Sequence, residues 1–169
     1  MEPSSRSSRR SPEAEVTASA RVAEDAFDPP SELAALTAGA AGAGAIVSFV
    51  GLARDRTRAG AEVTGLFLDH HPRLTRASLE EIAQAAVQRF GLIAARVVHR
   101  CGAIAPGEPI VFVAAAAAHR RAAFEAADAM MDRLKTDAVF WKREDAVDGS
   151  RWIEPSDQDR ADRARWSDE

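Results

Sequence analysis

Apolar positions in this chain fall into short runs, broken by two longer stretches where they recur at three and four residues. From Thr75 to Arg89, the residues Leu79, Ile82, Ala83, Ala86, Val87 and Phe90 keep that spacing and so share one helical face. Gly91 follows as a helix stop. A second helix opens at His119-Arg120-Arg121, with Phe124, Ala127, Met131 and Leu134 as its expected apolar stripe and alanines in the gaps. Such a small-residue helix can approach a neighbour closely. The short runs read as strands. Val16 to Ala23 alternates weakly, Ala45 to Gly51 reads as a buried strand, and Glu62 to Asp69 and Ala94 to Cys101 follow. Pro109 to Ala117 is apolar on both faces and is therefore expected at the centre of a sheet. Val139 to Arg143 is a further strand, followed by a turn at Asp145 to Ser150 and by Arg151-Trp152-Ile153-Glu154. Asp28-Pro29-Pro30-Ser31 predicts a turn with Ser31 as the N-cap of a short helix to about Leu36. Gly39 to Gly44 and Gly102 to Glu108 read as loops, and His70-His71-Pro72 as a strand–helix corner. The order predicts an α+β fold with a largely antiparallel sheet and two main helices.

Length and charge narrow the class. The sequence has 169 residues, enough for one core. A single domain is expected over 16–156, after a solvated tail at 1–15 and before a charged, helical or frayed segment at 157–169. The first residues lack the apolar region of a secretory signal. The longest apolar run, Ile110 to Ala118, is about half of what a membrane-spanning helix needs, so a cytoplasmic protein is expected. A net charge of -4 and a pI of about 5.6 do not suggest a duplex nucleic acid partner. Cys101 is the only cysteine, which excludes a disulfide framework within one chain and reads as a small core residue. His70, His71, His99 and His119 show no metal-ligand spacing. No metal and no cofactor are expected.

The stretch Leu134 to Glu144 carries the chemistry. Lys135 and Lys142 stand seven residues apart, with Phe140 and Trp141 between them and Arg143 directly after. Two readings are open: solvated charges, the first favoured at a helix C-terminus, or a walled pocket for an anion. Geometry restricts the second. Arg120 and Lys135 share a side of one helix but lie about 22 Å apart, so one small anion touches both only if a two-fold dimer pairs the helices. Lys142 is different: a chain that turns back after Thr136 returns it to Lys135. On that strand Phe140, Lys142 and Glu144 share one face, and Trp141 and Arg143 the other. Arg54, nearest a strand end in the run Arg54, Arg56, Arg58, is the third candidate cation. Three converging cations would bind a phosphate or carboxylate strongly, and repulsion in a shielded site would lower the pKa of one lysine.

Six ordered motifs carry a resemblance: Phe49-Val50-Gly51-Leu52-Ala53-Arg54, Leu68-Asp69-His70-His71-Pro72, His99-Arg100-Cys101-Gly102, Pro106-Gly107-Glu108, Ala118-His119-Arg120-Arg121-Ala122-Ala123-Phe124, and Leu134-Lys135-Thr136 through Glu144. Over about residues 43–154 the chain resembles the large, catalytic subunit of molybdopterin synthase. The resemblance implies an α+β fold with a hammerhead-like part. It implies a sulfurtransferase of molybdenum cofactor biosynthesis that converts cyclic pyranopterin monophosphate (precursor Z) into the molybdopterin dithiolene. The sulfur would come from the C-terminal Gly-Gly thiocarboxylate of a small ubiquitin-like subunit, in a heterotetramer built on a homodimer of large subunits. By resemblance, Lys135 is the main acid/base or attack-assisting group and Lys142 its anion-binding partner. Arg54, His119, Arg120 and Arg143 contact substrate, with His119 and Arg120 coming from the neighbouring subunit, and Phe49 and Met131 are pocket walls. Leu52, His71 and Val139 depart from residues common in the family. The alternative is a non-catalytic scaffold that binds a ubiquitin-like partner or a phosphorylated ligand.

Overall fold

The computed structural model describes residues 17–166. The expected tail at 1–15, Val16 at the head of the first expected strand, and residues 167–169 lie outside the described residues. In chain order the elements are β1 (Thr17–Ala23), α1 (Pro29–Gly39), β2 (Ala45–Leu52), β3 (Val63–His70), α2 (Pro72–Phe90), β4 (Ala94–Arg100), β5 (Gly102–Ile104), β6 (Pro109–Ala117), α3 (Arg120–Thr136), β7 (Phe140–Ala146), β8 (Gly149–Ile153) and α4 (Asp157–Ala164).

Among the described residues the strands form two four-stranded sheets, ordered β1-β4-β6-β2 and β5-β3-β7-β8, rather than one. Strand β6 lies between β4 and β2 and is buried from Val111 onward, as its two-sided apolar sequence predicts. Among the described residues β1 with β4 is the single parallel pair and the others are antiparallel. Alternation along β4 and β6 sends Val97 and Val113 toward α2 and α3, where they meet Leu79, Ile82, Met130 and Leu134. Val98 and Phe112 point the other way and meet Phe27 and Leu36 beside α1. A third cluster, Ala53, Leu66, Leu68 and Ile104, lies on the second sheet. Phe140 packs against both this cluster and the one under α2 and α3, which joins the two sheets.

Several sequence expectations are corrected. The N-cap of α1 is Asp28, whose carboxylate accepts from the Ser31 backbone N–H at 3.0 Å. The two prolines fit the first helical positions, where no donor is needed, so the helix starts earlier than Ser31. Strand β2 is an edge strand, not a buried one: Phe49, Val50 and Leu52 are 43%, 37% and 55% exposed. The stripe on α3 runs through Ala123, Ala126, Ala127, Met130 and Leu134, and Phe124 faces outward at 62% exposed. Alanines form the close contact, so the large side chain is the one excluded. Residues Gly102–Ile104, expected as loop, form the short strand β5 on the edge of β3. The turn expected over Asp145 to Ser150 is tighter, with β7 and β8 pairing up to Ala146 and Gly149. Of the segment expected as helical or frayed after residue 156, Asp157–Ala164 forms helix α4. Ser156 and Asp159 close a capping box at its start.

Candidate functional site: the charged groups around Lys142

The reversal after α3 is built from buried and half-buried polar contacts. Thr75, fully buried, donates its hydroxyl to the Val139 carbonyl at 2.5 Å. Arg133 and Asp137 pair at 2.9 Å across the last helical turn. The chain then enters β7, which lies against β3 with His70 opposite Phe140 and Leu68 opposite Lys142. This register returns Lys142 toward Lys135. Arg54 is positioned by the chain just after β2. The Ala53 N–H donates to the Glu108 carbonyl at 2.9 Å, and its carbonyl accepts from Gly107 at 2.8 Å. Ala53 is buried in the cluster with Leu68, so the next side chain starts from a fixed backbone. Gly51 is needed here because a Cβ would stand 2.6 Å from Val111 Cγ1 and 3.3 Å from the Phe49 ring.

Lys142 is half-buried. Loss of water pushes its pKa below the ordinary lysine value; Arg54 and Lys135 push it further down, against Glu144 and Asp159. Arg54 and Lys135 are therefore both close enough to act on Lys142. Lys135 is 54% exposed and its Nζ lies 3.1 Å from Asp159 Oδ1. Burial disfavours the Asp159 carboxylate, but hydrogen bonds from Ser156 and the Lys135 ammonium outweigh it and hold the carboxyl at about 2. Helix α4 reaches this position without a buried apolar face. Arg163 bonds Asp137 at 2.9 Å, and Arg165 and the Trp166 indole bond Asp132 at 2.8 and 2.7 Å.

The remaining expected residues lie elsewhere. Arg143 is on the opposite face of β7, paired with Asp145 at 2.9 Å and flanked by the Phe67 and Trp152 rings at 5.2 and 5.9 Å. His119 and Arg120 are exposed at the far end of α3, about 22 Å from Lys135 by helical rise. Phe49 lies on the exposed edge strand, and Met131 is half-buried against the main core. Asp159 and His99 are not among the residues expected at the site, and Glu144, expected on the Lys142 face, has no expected role there. The pattern Ser156-x-x-Asp159 is a capping-box signal that points to an ordered helix. A second overlooked signal is compositional: Lys135 and Lys142 are the only lysines in the chain, every other basic side chain apart from histidine being arginine. Arginine cannot shed its proton in a protein, whereas lysine can.

No group of three potential metal ligands occurs among the described residues, and no described helix is long and apolar enough to cross a membrane. Fold and site together define a two-sheet α+β protein in which a half-buried lysine, Lys142, is surrounded by Arg54, Lys135, Glu144 and Asp159. The family model described as MoaE protein matches residues 22–137, and the chain belongs to that family. It is 50% identical over 148 residues to the molybdopterin synthase catalytic subunit of Pseudomonas aeruginosa, covering 88% of this chain and 98% of that one. The subunit of the same description from Caulobacter vibrioides is 49% identical over 148 residues, covering 88% and 97%. Among solved structures, the molybdopterin biosynthesis MoaE protein of Burkholderia ambifaria superposes with a TM-score of 0.76 at 41% identity, covering 90% of this chain and 99% of that chain.

Proposed function

We propose that this chain is the catalytic subunit of a molybdopterin synthase, working in the cytoplasm and moving sulfur from a thiocarboxylated small subunit to precursor Z. The observation that supports the reading is that Lys142, one of the chain's only two lysines, is withdrawn from water and feels the charges of the other, Lys135, and of Arg54. Both ligands are anions, a cyclic phosphate and a thiocarboxylate, and both favour fixed positive charge. Arg54 supplies a cation that stays protonated. Lys142, whose proton is loosened by burial, gives it up more readily than an ordinary lysine and so suits proton transfer. Lys135 is held by a carboxylate in the free chain, and an incoming thiocarboxylate is an anion of the same kind. The sulfur belongs to the partner, so no nucleophilic cysteine is required. Cys101 is buried, and burial raises its thiol pKa, which suits a core residue. Pairing two copies through the apolar edge at Phe49, Val50 and Leu52 and the exposed Phe124 would cover surface that one chain leaves open. It would also bring His119 and Arg120 of one copy toward the pocket of the other.

The test is reconstitution with a thiocarboxylated small subunit and precursor Z, reading molybdopterin formed. Wild type makes product, and Lys135→Ala and Lys142→Ala each lose at least about tenfold in turnover while remaining folded. Partner binding without product by the wild type would favour the scaffold reading. Full activity in either variant would remove that lysine from the mechanism.

A further inference from the structure

His99 belongs to β4 of the first sheet, yet its ring touches the strand that carries Lys142. It is 9% exposed. Its Nδ1 lies 2.9 Å from the Arg100 carbonyl oxygen. A carbonyl only accepts, so Nδ1 carries the proton and donates it there. This bond fixes the ring orientation. The ring stacks on Phe140 with centroids 4.1 Å apart and planes 24° from parallel. Phe140 is also 6.5 Å from the His70 ring, opposite it on β3. Phe140 and Lys142 are two apart on one strand and share a face. The stack therefore crosses from one sheet to the other directly beside the lysine.

We propose that His99 is the positioning residue for Lys142: its ring, fixed by the Arg100 carbonyl and stacked on Phe140, holds β7 so that the amine stays withdrawn from water. Its functional consequence rests on the catalytic role proposed for Lys142. The charged groups facing Lys142 come from four directions: Glu144 on its own strand, Arg54 after β2, Lys135 on α3 and Asp159 on α4. His99, on β4, is the neighbour that stays neutral. Burial pushes its pKa down to about 4, against the Arg100 hydrogen bond and with help from the Lys142 charge. The ring thus adds bulk without adding charge, and water is kept from the amine by packing.

The experiment is competitive labelling of the full chain with acetic anhydride from about pH 6 to about pH 10. Mass spectrometry reads Lys142 against Lys135, the only other lysine. In wild type the Lys142 labelling midpoint falls below that of an ordinary lysine. His99→Phe keeps a ring against Phe140 and holds the midpoint near the wild-type one. His99→Ala lets water in and moves the midpoint up, so that Lys142 labelling near pH 8 falls by at least about threefold. If His99→Ala does not fold, His99→Gln takes its place with the same expected upward movement. In turnover assays His99→Ala lowers kcat more than it raises KM. An unchanged Lys142 labelling profile in the folded ringless variant overturns the proposal, because a merely structural histidine would lower the melting temperature and leave that profile alone. Labelling needs no substrate. An inactive wild-type mixture would therefore count against the proposed activity and leave the role of His99 to be decided by the labelling.

Discussion

Replacing Asp159 by asparagine removes one carboxylate that ties α4 to Lys135 and caps the same helix. Its Oδ1 lies 3.1 Å from the Lys135 ammonium, and its Oδ2 accepts from the Ser156 N–H at 2.8 Å and the Ser156 hydroxyl at 2.6 Å. These contacts take the carboxyl from its ordinary 3.8 to about 2 against the cost of burial, which corresponds to about 2 kcal/mol. Lys135 is 54% exposed, so solvent screening trims the ion-pair share. Asparagine keeps one acceptor oxygen for the cap, so the net loss is ~1–2 kcal/mol. The assay is amide hydrogen exchange over α4 at neutral pH, where such a loss lowers protection by roughly 5–30-fold. Acid has the same effect on wild type. The carboxyl is more acidic folded than unfolded, so its contribution is complete above about pH 4 and is lost as pH falls through about 2. Wild-type protection of α4 in Asp159→Asn at pH 7 would show that the carboxylate does not hold the helix, and would refute the reasoning.

Two further outcomes are expected. Lys142→Arg keeps the positive charge and removes the exchangeable proton, so kcat falls by about 10²-fold while KM stays within about threefold; steady-state kinetics that leave kcat within about twofold would assign Lys142 to binding alone. Gly51→Ala drives a methyl to 2.6 Å from Val111 Cγ1, and its denaturant midpoint should report a loss of ~1–3 kcal/mol.

Much of this fold is legible because its elements are strongly patterned. Helix α2 carries a full apolar stripe and a glycine stop, and Gly91 does adopt the left-handed conformation at φ 60°. The central place of β6 follows from a sequence apolar on both faces. The register of α3 is hard to read because alanine is a weak marker of burial, and Phe124 competes for a face that only small residues can occupy. Strand β5 has three residues, too few for alternation to show. An apolar run such as Ala45 to Leu52 reads the same whether a sheet or another molecule covers it. In the site, the return of Lys142 to Lys135 is a matter of local chain reversal and could be anticipated. The contacts of Asp159 and His99 depend on how distant elements pack, and neither residue stands in a pattern that marks a partner. The family resemblance supplied roles that geometry could not.

The strand order has a consequence for how the surroundings of Lys142 come into being. In the first sheet Thr17 pairs with Ala94 and Ala45 with Ala117, and in the second His70 pairs with Phe140. Only β7 with β8, and β4 with β6, lie near each other in sequence. Pairings that close long loops form slowly. A growing or refolding chain can make the β7–β8 hairpin and helix α3 early, but it must find β3 before the face carrying Lys142 is covered. The lysine is thus an ordinary hydrated amine through most of folding and acquires its special proton affinity among the last events, which makes its reactivity a clock for completion of the native state.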